Sequence, residues 1–146
     1  MLESLPVTND RGQLIVVDAA NVVGARPDGW WRDRAGAARR LLAQLIKLDE
    51  SLDRPTEVIV VLEGAARTAV ADETDPTSVH LRVVRADGSG DDAIVAEVAD
   101  AAGADSNRPI IVVTADRGLR ERVEALGAGT VGPRWLLERI EVPGTQ

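Results

Sequence analysis

Apolar residues along this chain fall into short dense runs that alternate with stretches of helical spacing. Leu14-Ile15-Val16-Val17 is the first run, three of its four residues β-branched, which predicts a strand at 13–17 buried on both faces. A second strand-like run covers 57–62 and a third, Ile110-Ile111-Val112-Val113-Thr114, covers 110–114. Residues 79–84 alternate less cleanly and predict an edge strand, and Thr130-Val131 a short last one. Between them, Ala38, Leu41, Leu42, Leu45, Leu48 and Leu52 share one helical face in a segment that Pro55 stops. Further helices are expected at 91–102, with Ile94, Val95, Val98 and Ala102 inward and Gly103 as its stop, and at 117–126, with Leu119, Val123 and Leu126 inward. A short helix is read at 65–71, and a final one opens at Gly132-Pro133, proline suiting the first helical position. The stretch 18–31, with Gly24, Pro27 and Gly29, reads as a loop, and 72–78 as an acidic loop. Strands alternating with helices of these lengths make a three-layer α/β/α sandwich around a mainly parallel sheet of about five strands.

At 146 residues the chain is expected to be a single domain, 1–146, with 1–12 a flexible amino-terminal tail. No stretch is long and apolar enough to span a membrane, and no signal-peptide pattern is visible, so a cytoplasmic protein is expected. The chain has no cysteine, and its one histidine, His80, falls in the edge-strand segment. Thiolate metal sites are excluded and a histidine-based zinc site or triad is hard to build. Any metal would be held by oxygen, which suits Mg²⁺ or Mn²⁺. The net charge of -7 argues against nucleic-acid binding by bulk attraction. It leaves room for a local basic surface, since Lys47 is the only lysine among seventeen cations. Arginine suits bidentate phosphate contacts, although a GC-rich genome also explains the skew.

Candidate chemistry collects at the carboxyl ends of the strands. Asp18 ends the first run, where open α/β sheets bind their ligands. Asn21 follows it with both a donor and an acceptor. Asp91-Asp92 opens a helix, and Asp116 follows the 110–114 strand. Each alone reads as a turn residue or helix cap; together on one sheet edge they indicate a site. Ala20 stands where a haloacid-dehalogenase phosphatase needs a second Asp, no lysine follows the last strands as a receiver domain requires, and no P-loop occurs. Gly88-Ser89-Gly90-Asp91-Asp92-Ala93 matches a dinucleotide pattern, but two carboxylates at that helix start would repel a pyrophosphate.

Asp18-x-x-Asn21-Val22, Asp91-Asp92-x-Ile94 and Thr114-x-Asp116, in that order, resemble a PIN-like nuclease domain of the NYN branch, with its YacP-like bacterial ribonucleases. The resemblance covers about 14–140 and implies the strand order 3-2-1-4-5. It also implies that Asp18, Asp91, Asp92 and Asp116 gather Mg²⁺ or Mn²⁺ and water for RNA cleavage. Asn21 matches the Asn beside the first Asp and Thr114 the small hydroxyl residue before the last. Ala20 departs from the aromatic residue usual in bacterial members.

The function so implied is a metal-dependent endoribonuclease that cleaves phosphodiester bonds with a metal-activated water, in RNA processing or decay. Catalytic residues are then Asp18, Asn21, Asp91, Asp92 and Asp116, and substrate-binding candidates are Thr114, Arg117, Arg26, Arg32, Trp30 and Trp31. Arg34 and Arg120 read more readily as solvated helix-face charges, and Trp135 as core. Adjacent helical residues diverge by about 100°, so one of Asp91 and Asp92 is expected to contact the metal and the other to act through water. Glu63, after the second strand, reads equally as a further acid or a loop residue. The partner implied is RNA, single-stranded or structured, with the ribosome or RNA-processing proteins as further candidates, no membrane, and a monomer or homodimer. The alternatives are a non-catalytic RNA-binding or ribosome-docking PIN-like module, and a nucleotide phosphohydrolase.

Overall fold

The structure is a computed structural model and describes residues 12–25, 29–51, 56–69 and 81–141. Arg26, Leu52, Pro55, His80, the loop 72–78 and nearly all of the tail 1–12 lie outside them. Five strands, β1 (Gln13–Asp18), β2 (Thr56–Leu62), β3 (Leu81–Arg85), β4 (Ile110–Val113) and β5 (Gly129–Val131), form one sheet in the order β3-β2-β1-β4-β5. Every neighbouring pair is parallel. The helices are α1 (Ala19–Gly24), α2 (Arg34–Ser51), α3 (Gly90–Ala104), α4 (Arg117–Glu124) and α5 (Pro133–Glu141), with 3₁₀ turns at Trp30–Arg32 and Gly64–Ala69. The PIN-like order and the three layers expected from the sequence are present. None of the described helices is long and apolar enough to cross a membrane.

The unbroken apolar runs explain why both faces of the sheet are covered. In β1, Ile15 and Val17 join α1, α2 and α5 through Val22, Leu41, Leu45 and Leu136, while Leu14 and Val16 join α3 and α4 through Ile94, Val98, Leu119 and Val123. Strand period two thus feeds two cores from one run. The central strand β1 lies between β2 and β4. The chain builds outward to β3, then crosses back to β4, so the carboxyl end of β1 is the topological switch point.

Several local expectations need correction. Part of the expected loop 18–31 is α1, because Ala19, Val22 and Val23 bury one short helical face and Asp18 serves as its N-cap. Helix α3 passes through Gly103 and ends at Ala104, where the Asp105 N–H bonds to the Ala101 carbonyl. A glycine costs a helix only about 1 kcal/mol relative to alanine, and the flanking alanines carry it. Leu126, expected to point inward, lies beyond the end of α4 and is 38% exposed. Trp135 is partly buried against the α2 face of the sheet, with the Arg139 guanidinium 4.0 Å from its ring centroid.

Candidate active site

Parallel pairing sets the candidate site. Val17 pairs with Val113 and Asp18 with Val61, so Asp18, Thr114 and Glu63 leave the sheet side by side at its carboxyl edge. Asp116 follows β4, and the first turn of α3 brings in Asp91.

Asp18 is almost enclosed, at 6% exposure, and its carboxylate is held from two sides. Its Oδ2 accepts the Thr114 hydroxyl at 2.8 Å and the Asn21 side-chain amide at 2.7 Å. The backbone N–H of Asn21 points at Oδ1 across 3.4 Å. Asn21 Oδ1 in turn accepts the Ala115 N–H at 3.0 Å. One amide therefore ties the β1–α1 junction to the β4–α4 junction, and both its functions are used. Thr114, expected as a substrate contact, is fully buried instead. Its hydroxyl donates to Asp18 and accepts the Asp116 N–H at 3.1 Å, so it orients both acids from behind. Asp116 caps α4 through Oδ1, which accepts the Leu119 N–H at 2.9 Å.

The two adjacent aspartates part company as helical geometry requires. Asp92 is exposed and pairs with Arg122 at 3.1 Å, a surface pair worth at most about 1 kcal/mol. Asp91 faces the other acids, and burial first, then the fields of Asp116 and Glu63, make its ionisation harder. The cap of α3 is Ser89, not Asp91: its Oγ accepts the N–H groups of Asp91 and Asp92 at 3.1 and 3.4 Å. Ser89-x-x-Asp92 is a capping-box-like signature that would have revealed it. Glu63 Oε1 accepts the Gly90 N–H at 2.5 Å.

Among the cations, Arg120 is a strut, its guanidinium donating twice to the Thr114 carbonyl at 3.2 and 3.1 Å. Arg117 is exposed on the first turn of α4. Arg32 is exposed with its guanidinium 5.7 Å from the Trp31 ring centroid, and Trp31 itself is 54% exposed. Trp30 shares that 3₁₀ turn. A hollow of about 1050 Å³ opens at the opposite edge of the sheet. There Arg82 pairs with Glu97 and Arg108 with Glu57, and none of the predicted site residues lines it.

Burial is the main reason the Asp18 carboxyl titrates above its ordinary 3.8; the Thr114 and Asn21 hydrogen bonds pull it down, and Asp91 pushes it up. Asp91 is also raised, first by burial, then by Asp116 and Glu63, with Arg122 opposing. A raised carboxyl binds its proton more tightly folded than unfolded. Its ionisation therefore costs stability in full above the folded pKa, and that cost vanishes as pH falls to 3.8. In EDTA, Asp91→Asn should melt above wild type at neutral pH, and the gap should close as pH is lowered through the raised pKa. Thermal melts of both proteins from pH 7 downward check this; a gap that stays constant would mean Asp91 is not strained.

Carboxylates alone are a hard-oxygen donor set. Among the described residues, no three acidic side chains form a ready-made ligand cluster. Donors of this kind suit a hard cation such as Mg²⁺, which keeps most of its water and takes one or two carboxylates directly.

A parallel 3-2-1-4-5 sheet with acidic residues at the switch point defines a PIN-like α/β fold. The solved structures place it further. Rae1 (YacP) from Bacillus subtilis superposes with a TM-score of 0.67 at 21% identity, over 88% of this chain and 74% of that one. Its W164L mutant does so with the same score and coverage at 18% identity. At these identities the likeness establishes the fold. The sequence matches no family profile and no curated protein.

Proposed function

We propose that this chain is a divalent-metal-dependent endoribonuclease. The observation that carries the proposal is the desolvated Asp18 carboxylate, fixed by Thr114 and Asn21 and set in the field of Asp91 at the switch point of a PIN-like sheet. A protein that only held RNA would gain nothing from acids crowded where phosphate must lie, since they repel it. The fold shared with Rae1 (YacP) and the motif order read from the sequence support the same reading.

In this reading one or two of Asp18, Asp91 and Asp116 would hold the cation directly and the rest through its water shell, and Asp92, turned toward Arg122, acts from outside through water. When bound, the cation would lower the pKa of a water and offset the charge developing on the phosphoryl group. Asn21 and Thr114 keep Asp18 in one orientation, so little reorganisation is needed as the reaction proceeds. Arg117, and Arg32 beyond α1, are the cations for flanking phosphates, with Arg26 a further candidate outside the described residues. Trp31 offers a face for an unpaired base, and Trp30 on the same turn is the second aromatic candidate. RNA is the substrate; the ribosome or RNA-processing proteins are its settings.

Incubation with Mn²⁺ and either structured RNA, unstructured RNA or free nucleotides tests the reading. Internal cleavage of RNA that EDTA abolishes is expected. Binding without cleavage would identify an RNA-binding module, and turnover of nucleotides alone a phosphohydrolase. Stacking on Trp31 is worth about 1–3 kcal/mol, so Trp31→Ala should weaken binding of an unstructured oligonucleotide about tenfold or more, and a short duplex less. Unchanged affinity with a lower melting temperature would make Trp31 a packing residue.

A further inference from the structure

Glu63 and Gly90 are 27 positions apart, yet the Gly90 N–H donates to Glu63 Oε1 at 2.5 Å. One end of this bond is the exit of β2, and the other is the first residue of α3. A Cβ at position 90 would sit 2.2 Å from that oxygen, and 3.1 Å from the carboxyl carbon. A methyl group there would therefore push the carboxylate end off the N–H. Other described links around this junction join the flanking loops. The Ala86 N–H bonds to the Leu62 carbonyl at 2.8 Å, and Arg67 donates to the carbonyls of Ala86 and Gly64, both at 3.2 Å. Ser89 caps α3 from within its own turn. Glu63 is thus a side chain that ties the first residue of α3, one before Asp91, to the end of β2.

We infer that Glu63 is a positioning residue: through the Gly90 N–H it sets where the first turn of α3 begins, and so aims Asp91 at Asp18 and Asp116. The inference rests on the nuclease reading for its meaning, but it assigns Glu63 a task different from that of the other acids. A negative group at a helix N-terminus suits the helix dipole, and a charge-assisted bond to a backbone N–H is among the stronger kinds. Its position also brings a further negative charge near Asp91, so the capping oxygen, not the charge, is what the site requires. A neutral amide oxygen should perform the same task.

Three substitutions separate these roles. Glu63→Gln keeps an oxygen for the Gly90 N–H and removes the charge. Glu63→Ala removes both. Gly90→Ala leaves the carboxylate charged but drives it off the N–H with the new methyl. Hydrogen exchange at Gly90 and Asp91 in metal-free protein, and Mn²⁺ affinity by calorimetry, are the readouts. Glu63→Ala and Gly90→Ala should each speed exchange about tenfold or more and weaken Mn²⁺ binding at least about tenfold. Glu63→Gln should stay near wild type in both. The double variant Glu63→Ala/Gly90→Ala should be no worse than either single one, since both remove one interaction. Protected amides together with lost Mn²⁺ affinity in Glu63→Gln would make Glu63 a direct cation ligand and overturn the assignment. Wild-type exchange in Glu63→Ala would overturn it equally. Exchange is read without metal, so failure of wild type to bind Mn²⁺ would count against the nuclease reading and leave the exchange result to decide the role of Glu63.

Discussion

Asp18→Asn should lower RNA cleavage by at least about 10²-fold, the scale on which removal of one well-placed electrostatic group acts, while the protein stays folded. The hydrogen bonds explain how both can hold. Thr114 and Asn21 both donate to Oδ2, and an asparagine oxygen in that place still accepts both, more weakly than the carboxylate does. Its amide then takes the Oδ1 position, where only the 3.4 Å approach of the Asn21 N–H is lost. The buried charge, whose ionisation burial already opposes, disappears as well. The melting temperature in EDTA should therefore equal or exceed that of wild type. Asp18→Ala tests the same contacts from the other side. It strands the Thr114 hydroxyl and the Asn21 amide, at about 1–3 kcal/mol for each unsatisfied group, and should melt well below wild type. Near-normal cleavage by Asp18→Asn, measured on labelled RNA with Mn²⁺, would remove Asp18 from the catalytic role.

Mn²⁺ should raise the melting temperature of wild type by about 5–11 °C at one hundred times its dissociation constant. A ligand bound only by the folded state adds about 2.7 kcal/mol at that ratio, and a chain near this size gains about 2–4 °C per kcal/mol. Asp91→Asn and Asp116→Asn should begin higher in EDTA, because each relieves repulsion that Asp91 feels, and should lose most of the gain. For Asp116 the cap on α4 opposes this, although asparagine caps nearly as well as aspartate. Asp92→Asn should keep most of the gain, since its partner is Arg122 at the surface. Differential scanning calorimetry of the four proteins with EDTA and with Mn²⁺ gives the comparison. Equal gains in Asp91→Asn and wild type would place the cation elsewhere.

Much of this was legible because it is written locally. The run Leu14 to Val17 is apolar on both strand faces, so a covered parallel sheet follows. An acid at its carboxyl end then falls where such sheets leave room for a ligand. The strand order came from resemblance, since periodicity says nothing about which strands neighbour each other. What stayed hidden depends on contacts between distant residues. Thr114 and Asp18 lie 96 positions apart and Ala115 and Asn21 lie 94 apart, so nothing local showed that Thr114 faces inward to orient an acid. Arg120 read as a surface charge because its acceptor is a backbone carbonyl, which carries no sequence signal. Helix α1 was hidden by the nearby glycines and proline, which outweighed three apolar residues at helical spacing. The even reading of Glu63 could not be improved without Gly90 beside it.

Crystals soaked in Mn²⁺ and measured at its absorption edge give the most direct test of the metal-dependent nuclease. An anomalous peak is expected at the carboxyl edge of the sheet, within ligand distance of Asp18, Asp91 or Asp116 and away from Asp92, and absent from Asp18→Asn crystals treated alike. A peak confined to the acids at the opposite edge, Glu57, Glu97 and Asp100, or no peak at a concentration that supports RNA cleavage, would contradict it.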